Sequence, residues 1–301
     1  MAREEILARA LETNAFTTAG SGAAYLNPEV WVRKIEEFMK AKLVVAPLAK
    51  VFNELLGAAG DTINVQFDAE ISADALTETT AITPKALAYT QVQFVPTEYG
   101  VAVALTNKQR IRAIQDIMEE KTRSMGYALA KKKDSVAIAA LIAGASNAVV
   151  ANGVAVSAVA SSDTMSTDTI ADALKELRID EHDGKYLIVH PKQENSLLKL
   201  SDFIDASVYG GREVVLNGEI GRYLGIRVMV TTQITANATT STAYDALLMD
   251  SDVFGIAPKY PVTFNADYKV LEREYILAAI EEYDIEVLRG AGICTITSYG
   301  G

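Results

Sequence analysis

One long helical pattern constrains this chain more than any other feature. Apolar or small side chains recur through residues 106–144 at steps close to the helical period. Thr106 and Gln109 have the spacing of a capping box, and Gly144 suits the end of a helix. At about 1.5 Å per residue this helix would be roughly 50 Å long, which is more than a compact domain core requires. The predicted apolar stripe consists of Ile111, Ile114, Met118, Met125, Leu129, Val136 and Ala140.

Charged residues occupy the other faces of this helix, and the last of them form the run Lys131, Lys132, Lys133 and Asp134. We therefore predict a helix that lies along one sheet with its apolar stripe and meets water or a partner with its other faces. The alternative is an ordinary amphipathic core helix.

The composition excludes several classes of protein. The chain has 301 residues, enough to bury one large core or two modest ones. Half of the residues are hydrophobic and 22% are charged, a balance that is typical of globular proteins. The net charge of −11 argues against a protein that binds nucleic acid directly, because such binding requires a high density of Lys and Arg side chains.

Cysteine usage and hydropathy set further bounds. Cys294 is the only cysteine, which excludes a disulfide framework and a cysteine-based zinc site and fits a reducing compartment. Acidic residues interrupt the first apolar stretch, so we expect no signal peptide. No window approaches about 18 uninterrupted apolar residues, so we expect no membrane-spanning helix.

The N-terminal region predicts two helices joined by an arm. Residues 2–12 and 29–40 have helical patterns, and we expect Trp31 to be a core anchor of the second. Between them, residues 17–24 (TTAGSGAA) carry too little bulk to pack a core. We expect an arm of this composition to be ordered only where a neighbouring subunit holds it.

Residues 61–105 predict an extended hairpin. Residues 62–67 and 90–95 each alternate apolar and polar side chains, as half-buried strands do. The connection between them, about 68–89, is rich in Ala and Thr and is longer than compact domains usually allow. Because a two-stranded hairpin is marginal in water, we expect its tip to rest on another molecule. A surface loop without a partner is the alternative.

The remainder of the chain predicts an α/β region followed by β structure. We predict helices at 166–177 and 191–200 and strands at 186–190, 226–232, 244–249, 262–271, 276–288 and 293–298. The last two strands are expected to form a long antiparallel hairpin beside the long helix, although the segment around 276–288 also fits a helix.

No recognisable catalytic motif occurs in the sequence. A phosphate loop requires glycines that lead into Gly-Lys-Ser/Thr, which is absent. Gly290 and Gly292 lack the third glycine of a dinucleotide fingerprint, and Cys294 has no histidine near it in sequence. No Gly-x-Ser-x-Gly nucleophile elbow is present either.

The titratable side chains suggest no site. Asp180, Glu181, His182 and Asp183 form the most metal-like cluster, but without the ordered spacing of a calcium loop, so we interpret it as a polar helix-to-strand turn. His190 precedes Pro191 and is expected to end a strand. Carboxylates are abundant, but abundance does not select a pair for acid–base catalysis. We therefore predict no catalytic, cofactor-binding or metal-binding residues and no cofactor.

The order of the predicted elements is an N-terminal arm, a long hairpin, a long helix, an α/β region and a closing β segment. Local sequences occur in the same order: Pro47-Leu48-Ala49, Asp61-Thr62-Ile63, Ile71-Ser72-Ala73, Val95-Pro96 with Tyr99-Gly100, Gly126-Tyr127-Ala128-Leu129-Ala130, His190-Pro191, Gly210-Gly211-Arg212-Glu213, Gly218-Glu219-Ile220-Gly221 and Leu224-Gly225-Ile226. Together they resemble the major capsid proteins of tailed bacteriophages with the Hong Kong 97-type fold, over nearly the whole chain.

The resemblance implies an α+β protein with five segments. These would be an N-terminal arm and helix (1–60), an extended hairpin or E-loop with a strand into the peripheral domain (61–105), the spine helix of that domain (106–149), an α/β axial domain (150–261), and the closing β segment of the peripheral sheet domain (262–301).

The implied function is structural and not enzymatic. A major capsid protein of this type self-assembles, as hexamers and pentamers, into an icosahedral virion shell that encloses the double-stranded DNA of a tailed phage. Assembly would take place in the host cytoplasm, without a membrane or sequence-specific DNA binding. Because the chain begins at Met1 with a short arm, we expect no large cleaved N-terminal scaffolding segment. A separate scaffolding protein, a portal and decoration proteins are the other expected partners.

Two alternatives remain open at this stage. One is the shell of an encapsulin-type nanocompartment, which genome context or particle size would distinguish. The other is a soluble α/β enzyme without a recognisable motif, which would form no particles in negative-stain microscopy or size-exclusion chromatography.

Overall fold

The computed structural model describes residue 35 and residues 43–57, 60–68, 73–75, 84–86, 89–112, 117–200, 222–223 and 225–300. Over these residues the protein is a mixed α+β structure with three sheets and four α-helices, in agreement with the predicted α+β class. The predicted N-terminal arm, most of the helix at 29–40 and most of the hairpin tip lie outside the described residues. No helix in the described part is both long and apolar enough to cross a membrane.

The helices are α1 (Asn107–Arg112), α2 (Ile117–Gly144), α3 (Thr167–Ile179) and α4 (Pro191–Leu198). The strands are β1 (Lys50–Val51), β2 (Ile63–Asp68), β3 (Tyr89–Phe94), β4 (Thr97–Thr106), β5 (Asn147–Val150), β6 (Tyr186–Val189), β7 (Arg222–Tyr223), β8 (Ile226–Val230), β9 (Ala243–Met249), β10 (Phe254–Lys269), β11 (Glu274–Val287) and β12 (Ile293–Tyr299).

The chain divides into two compact units. The first consists of Met1–Ala41, Gly100–Leu129 and Val262–Glu281, and the second of Lys42–Tyr99, Ala130–Pro261 and Glu282–Gly301. Among the described residues of the first unit, the buried apolar side chains are Ile35 and residues of β4, α2, β10 and β11. The latter are Leu105, Met125, Leu129, Val262, Phe264, Leu277 and Ala279.

A six-stranded sheet organises the second unit, in the order β5-β12-β9-β6-β8-β7. β12 is parallel to β5 and antiparallel to β9, and β6 is antiparallel to β9 and parallel to β8. Side chains of β6 alternate between two apolar cores, with Leu187 in one and Ile188 in the other. Both faces of the sheet are therefore covered, which explains the nearly continuous apolar runs YLIV and ALLM.

The two cores receive different helices. Ile170, Leu174 and Leu177 of α3 pack in the core with Leu187, whereas Ile138 and Leu141 of α2 pack in the core with Ile188. Gly144, the last residue of α2, packs closely against β11, because a Cβ atom there would lie 2.6 Å from a methyl group of Val287.

The prediction of the long helix is confirmed at both described ends. The backbone N–H of Gln109 donates to the Thr106 hydroxyl at 3.4 Å and that of Thr106 donates to the Gln109 amide oxygen at 3.3 Å, which is the predicted capping box. The helical residues lie in α1 and α2, and residues 113–116 between them are not described. The predicted apolar stripe was wrong at Ile111, which is 77% exposed.

The strand predictions near the hairpin and in the six-stranded sheet agree with β2, β3, β6, β8 and β9 to within two residues at each end. The segment that also fitted a helix is β11, a strand. The expected hairpin between the last two strands was wrong, because β12 pairs with β5 and β9. Nearly every side chain of β12 is buried, so the strand requires cover on both faces and lies inside the larger sheet.

A four-stranded sheet has the order β1-β10-β11-β4. Its strand β10 begins at Phe254, eight residues before the predicted strand at 262–271, and includes prolines at 258 and 261. β10 pairs with β1 only at Gly255 and Ile256. Neither proline therefore occupies a position at which β10 would have to donate a backbone N–H to β1. Val270 and Leu271, assigned to the strand by the pattern, belong to the turn that joins β10 and β11.

Candidate functional site

Residues 180–183 after α3, interpreted from the sequence as a polar turn, take part in different interactions. Asp180 accepts a hydrogen bond from the Asn147 amide at 2.8 Å, while Nδ1 of His182 lies 3.5 Å from Oδ2 of Asp250. Asp183 donates its backbone N–H to Asp250. No group of three or more His, Cys, Asp and Glu side chains suited to a metal ion occurs in the described part of the chain. These contacts are those of a polar turn that joins α3 to β6.

A serine–lysine pair, which the sequence patterns did not indicate, lies beside this turn. Nζ of Lys185 is 2.9 Å from Oγ of Ser251 and 2.8 Å from Oδ1 of Asp250. A lysine activates a serine only when the amine is neutral. Here the hydrogen bond with Asp250 raises the pKa of Lys185, so the amine keeps its proton at neutral pH. We therefore interpret the pair as a structural link between the start of β6 and the turn after β9.

His190 and Cys294 also have structural surroundings. Nδ1 of His190 accepts the backbone N–H of Lys192 and caps α4, and its ring stacks on Tyr244 with 4.3 Å between ring centres. Burial, and secondarily Lys192, lower the pKa of His190. Cys294 is buried, and burial raises the pKa of its thiol to about 12. A thiol in this state is a poor nucleophile at neutral pH.

The two-stranded sheet β2–β3, which we call the ribbon, presents two different faces. In the pairing of Ile63 with Phe94 both side chains are buried, and Val65 with Val92 continues the same face. The opposite face carries exposed amides, with Asn64 opposite Gln93 and Gln66 opposite Gln91. Within the described residues β2 and β3 pair only with each other, so each has one unpaired edge.

Aromatic and ionic contacts fix the base of the ribbon. The rings of Phe52 and Phe94 lie 5.5 Å apart, and a Cβ atom at Gly255 would lie 2.5 Å from Phe52. Lys259 Nζ lies 3.0 Å from Asp61 and 3.7 Å from Glu282. The chain at the base of the ribbon is thus attached to β10 and β11.

Helix α2 exposes basic side chains. Arg123, Lys131 and Lys132 are exposed, and Nζ of Lys132 lies 5.5 Å from the ring centre of Tyr99. Tyr99 stacks on Tyr283 at 4.7 Å between ring centres. The amphipathic lysine stem covers an aromatic surface while the ammonium stays accessible to a partner.

Asp134 departs from the prediction for this helix. The sequence pattern placed it on a charged outer face, but the residue is 3% exposed. Its carboxylate accepts backbone N–H groups from Val44, Val45 and Ala46. The three donors replace the water that the carboxylate loses on burial.

The turn between β10 and β11, which we call the β10–β11 tip, carries the most exposed large apolar side chain among the described residues. Leu271 is 97% exposed and Val270 is 72% exposed. Nζ of Lys269 lies 3.1 Å from Glu272 and 3.8 Å from Glu274, so both signs of charge surround the apolar pair. An apolar centre with a polar rim is the arrangement found at protein interfaces.

Comparison with known proteins identifies the class to which this fold belongs. The model of the phage capsid protein family matches residues 89–269, more than half of the chain. Similar solved structures include that of Mycobacterium phage Che8, with 18% identity, TM-score 0.66 and coverage of 84% of this chain and 90% of that one. The capsid of cyanophage P-SCSP1u has 15% identity, TM-score 0.69 and coverage of 86% and 89%. The capsid of Ralstonia phage GP4 has 14% identity, TM-score 0.68 and coverage of 84% and 87%.

No curated protein sequence gives a significant match. The chain belongs to the phage capsid protein family. Its role is structural, and it is a major capsid protein that associates with copies of itself to form the shell of a virion. The surfaces described above are therefore candidates for contacts between subunits.

Proposed function

We propose that this chain has the Hong Kong 97-type capsid fold and assembles as hexamers and pentamers into an icosahedral shell around the double-stranded DNA of a tailed phage. Residues 61–105, which contain the ribbon, would be the E-loop, and α1 with α2 would be the spine helix. The sheet of β10, β11 and β4 would form the peripheral domain. Residues 150–261 would form the axial domain, to which the pairing of β12 adds the end of the chain.

The observation that carries this proposal is the ribbon with its exposed amide face. A two-stranded sheet is marginal in water, and here only its base contributes buried apolar side chains. Its exposed Asn64, Gln66, Gln91 and Gln93 carry hydrogen-bonding groups without charge. Contact with a second subunit would bury this face. The amides would then form hydrogen bonds with that subunit, without adding to the charge repulsion between acidic chains.

The tip of the hairpin, about residues 68–88, lies largely outside the described residues, but its charge suggests where it would lie. The sequence places Asp68, Glu70, Asp74 and Glu78 there against Lys85 as the only cation. An acidic tip is attracted to a basic surface, and the exposed Arg123, Lys131 and Lys132 of α2 in an adjacent copy would provide one.

The acidic composition supports enclosure of DNA without tight binding. A net charge of −11 keeps the chain from adhering to phosphates, so packaged DNA would remain mobile inside the shell. We propose that assembly occurs in the host cytoplasm and uses a separate scaffolding protein, a portal and, in the finished virion, decoration proteins.

Negative-stain microscopy of the purified chain, expressed alone and with its scaffolding partner, tests the proposal. Closed shells tens of nanometres across are expected. Gln66→Lys introduces charge on the amide face and should reduce shell yield, whereas Gln233→Lys, a matched change far from the ribbon in sequence, should not. Persistent monomers or dimers in every condition would contradict the proposal.

A further inference from the structure

The two ends of the six-stranded sheet differ in charge. Strands β5, β12, β6 and β8 run in one direction and β9 runs in the other. The loop after β5 (residues 151–166) and the loop between β8 and β9 (residues 231–242) therefore lie at the same end of the sheet. The first loop contains one charged residue, Asp163, and the second contains none. The opposite end carries charged residues of both signs: Asp180, Glu181, Asp183, Lys185, Asp250 and Arg289.

Hydrogen bonds join the two uncharged loops into one surface. The hydroxyl of Thr240 donates to the carbonyl oxygen of Val156 at 2.8 Å, which links the second loop to the first. The chain at the end of β12 reaches both loops, because the backbone N–H groups of Tyr299 and Gly300 donate to one loop each, at 2.8 and 2.9 Å. The loops are thus held in place relative to each other.

The carboxylates that belong to these loops or follow them are buried. Asp163 is 5% exposed and accepts a hydrogen bond from the Asn152 amide at 2.9 Å. Asp245 of β9 is 8% exposed and accepts one from the Asn237 amide at 2.7 Å. Among the described residues, exposed charges at this end begin in the first turns of α3 and α4, at Asp168 and Lys192.

We call the exposed residues of 152–162 and 235–242 the neutral surface. Gln233 lies outside it, half-buried before the buried Ile234. A hydroxyl group both donates and accepts, so the same hydroxyl in two copies of a chain can form a hydrogen bond, which two ammonium groups or two carboxylates cannot. The neutral surface is rich in such groups, among them those of Ser157, Ser161, Thr235, Thr239 and Ser241.

We propose that the neutral surface meets the neutral surfaces of other copies around the five-fold and six-fold axes of the shell, in head-to-tail contacts. In such a ring a side chain lies about as far from its two nearest copies as from the axis, so every charge near the axis faces like charges on both sides. Within about 10 Å such charges are poorly screened at about 0.1 M salt. Hydroxyls avoid this repulsion in a chain whose net charge is −11.

The inference rests on the proposed function, because it specifies which end of the axial region faces the symmetry axis. The charged end of the sheet, with Asp180, Asp250 and Arg289, would then lie away from the axis, where each charge is far from its own copies.

Charges of both signs at one position test the proposal in the full-length chain. Thr239 is exposed, and its backbone N–H, which donates to Asn237, is retained in every variant. Thr239→Lys and Thr239→Glu should each lower the yield of rings and shells at least about tenfold at about 0.1 M salt, because identical charges repel whatever their sign. The loss should shrink at about 1 M salt, where the screening length is about 3 Å.

Two controls accompany these variants. Thr239→Gln has about the size of Thr239→Glu without its charge, and it should keep the yield within about twofold of the unaltered chain. Asn195→Lys and Asn195→Glu place the same charges on α4, outside the neutral surface, and should also change the yield less than about twofold. Urea denaturation confirms that each variant is folded.

Sedimentation velocity measures rings of five or six copies, and electron microscopy of the same samples measures shells. Loss with both charges and retention with Thr239→Gln supports the contact. Normal yield from both charged variants, or loss with one sign alone, would overturn it, while shells of the unaltered chain uphold the proposed function. Rings that never close into shells, and that both charges disrupt, would overturn the proposed function and retain the contact. An unaltered chain that forms neither rings nor shells would overturn both.

Discussion

The carboxylate of Asp134 accepts the backbone N–H of Val45 at 3.1 Å, across 89 positions of sequence. The same carboxylate also accepts the N–H groups of Val44 and Ala46, at 2.8 and 3.0 Å. One side chain of α2 therefore holds the segment that follows the N-terminal region. Val45 itself is buried in the core with Ile138 and Leu141, so the polar contact and the apolar packing act at the same point.

Asp134→Ala should lower the free energy of unfolding by about 3 kcal/mol, because it leaves three backbone donors without their acceptor. Asp134→Asn retains one carbonyl oxygen and should cost about 2 kcal/mol. Ser135→Ala, at the next position of the same helix, should change the value by less than about 0.5 kcal/mol. Urea denaturation of unassembled subunits measures all three, and equal stability of the Asp134→Ala and Ser135→Ala variants would contradict the role of Asp134.

The ion pair of Asp250 with Lys185 predicts a pH dependence. Burial by itself raises the pKa of Asp250, but the hydrogen bonds from Lys185 and from the backbone of Ser251 and Asp183 outweigh it, and the pKa lies below its usual value. A lowered carboxyl pKa stabilises the fold above the unfolded pKa of about 3.9, and the contribution is lost as pH falls through the folded value.

Asp250→Asn should therefore destabilise the protein at pH 7, and the difference from wild type should shrink as pH falls below about 4. Asp252→Asn is the control, because Asp252 lies in the same turn with φ of 59°, which Asn tolerates. Denaturation at pH 7 and pH 3 gives the measurement. A constant difference across this range would show that the carboxylate charge is not what stabilises the turn.

The ribbon should exchange its amide hydrogens differently in the two assembly states. Residues 63–68 and 89–94 form a two-stranded sheet, which is expected to open readily in a free subunit. Contact with a neighbouring copy should slow that exchange at least tenfold, whereas exchange in β9, the centre of a larger sheet, should change little. Hydrogen–deuterium exchange followed by mass spectrometry compares them. Equal protection of the ribbon before and after assembly would mean that no copy covers it.

We predict that subunits are not joined covalently through Lys85, the only lysine between Lys50 and Lys108 and hence the only hairpin candidate for an isopeptide bond. Its Nζ lies 2.8 Å from Asp74, and the side chains of this ion pair are open to water, 37% and 61% exposed. Mature shells boiled in denaturant should migrate as monomers on a gel. A ladder of multimers that disappears in a Lys85→Arg variant would contradict this prediction.

Leu271 at the β10–β11 tip should matter for assembly and not for folding. Because the side chain is 97% exposed, Leu271→Asp should change the free energy of unfolding by less than about 0.5 kcal/mol. If the tip is buried between copies, the introduced carboxylate should reduce shell yield several-fold. Leu277→Asp is the matched comparison, since Leu277 is fully buried and its substitution should unfold the subunit itself. A normal yield of shells from Leu271→Asp would show that the β10–β11 tip is not a contact between subunits.

The sequence alone determined the elements whose causes are local. The capping box of Thr106 and Gln109 sets the start of the long helix, and alternation from Ile63 to Phe67 predicts the faces of the ribbon. Each depends on residues within a few positions of one another, where periodicity and capping chemistry act. The order of such elements was also sufficient to suggest the capsid family.

Tertiary structure alone decided the features that join distant segments. Asp134 resembled one more charged residue of an exposed run until the segment at 44–46 placed three donors beside it. Lys185 and Ser251 meet only because β6 and β9 are neighbours, and β12 pairs with β5 and β9 because its side chains require cover on both faces. Leu271 became a surface residue because a turn lies between β10 and β11. In each case the deciding partner lies far away in sequence, where neither helical nor strand periodicity carries information.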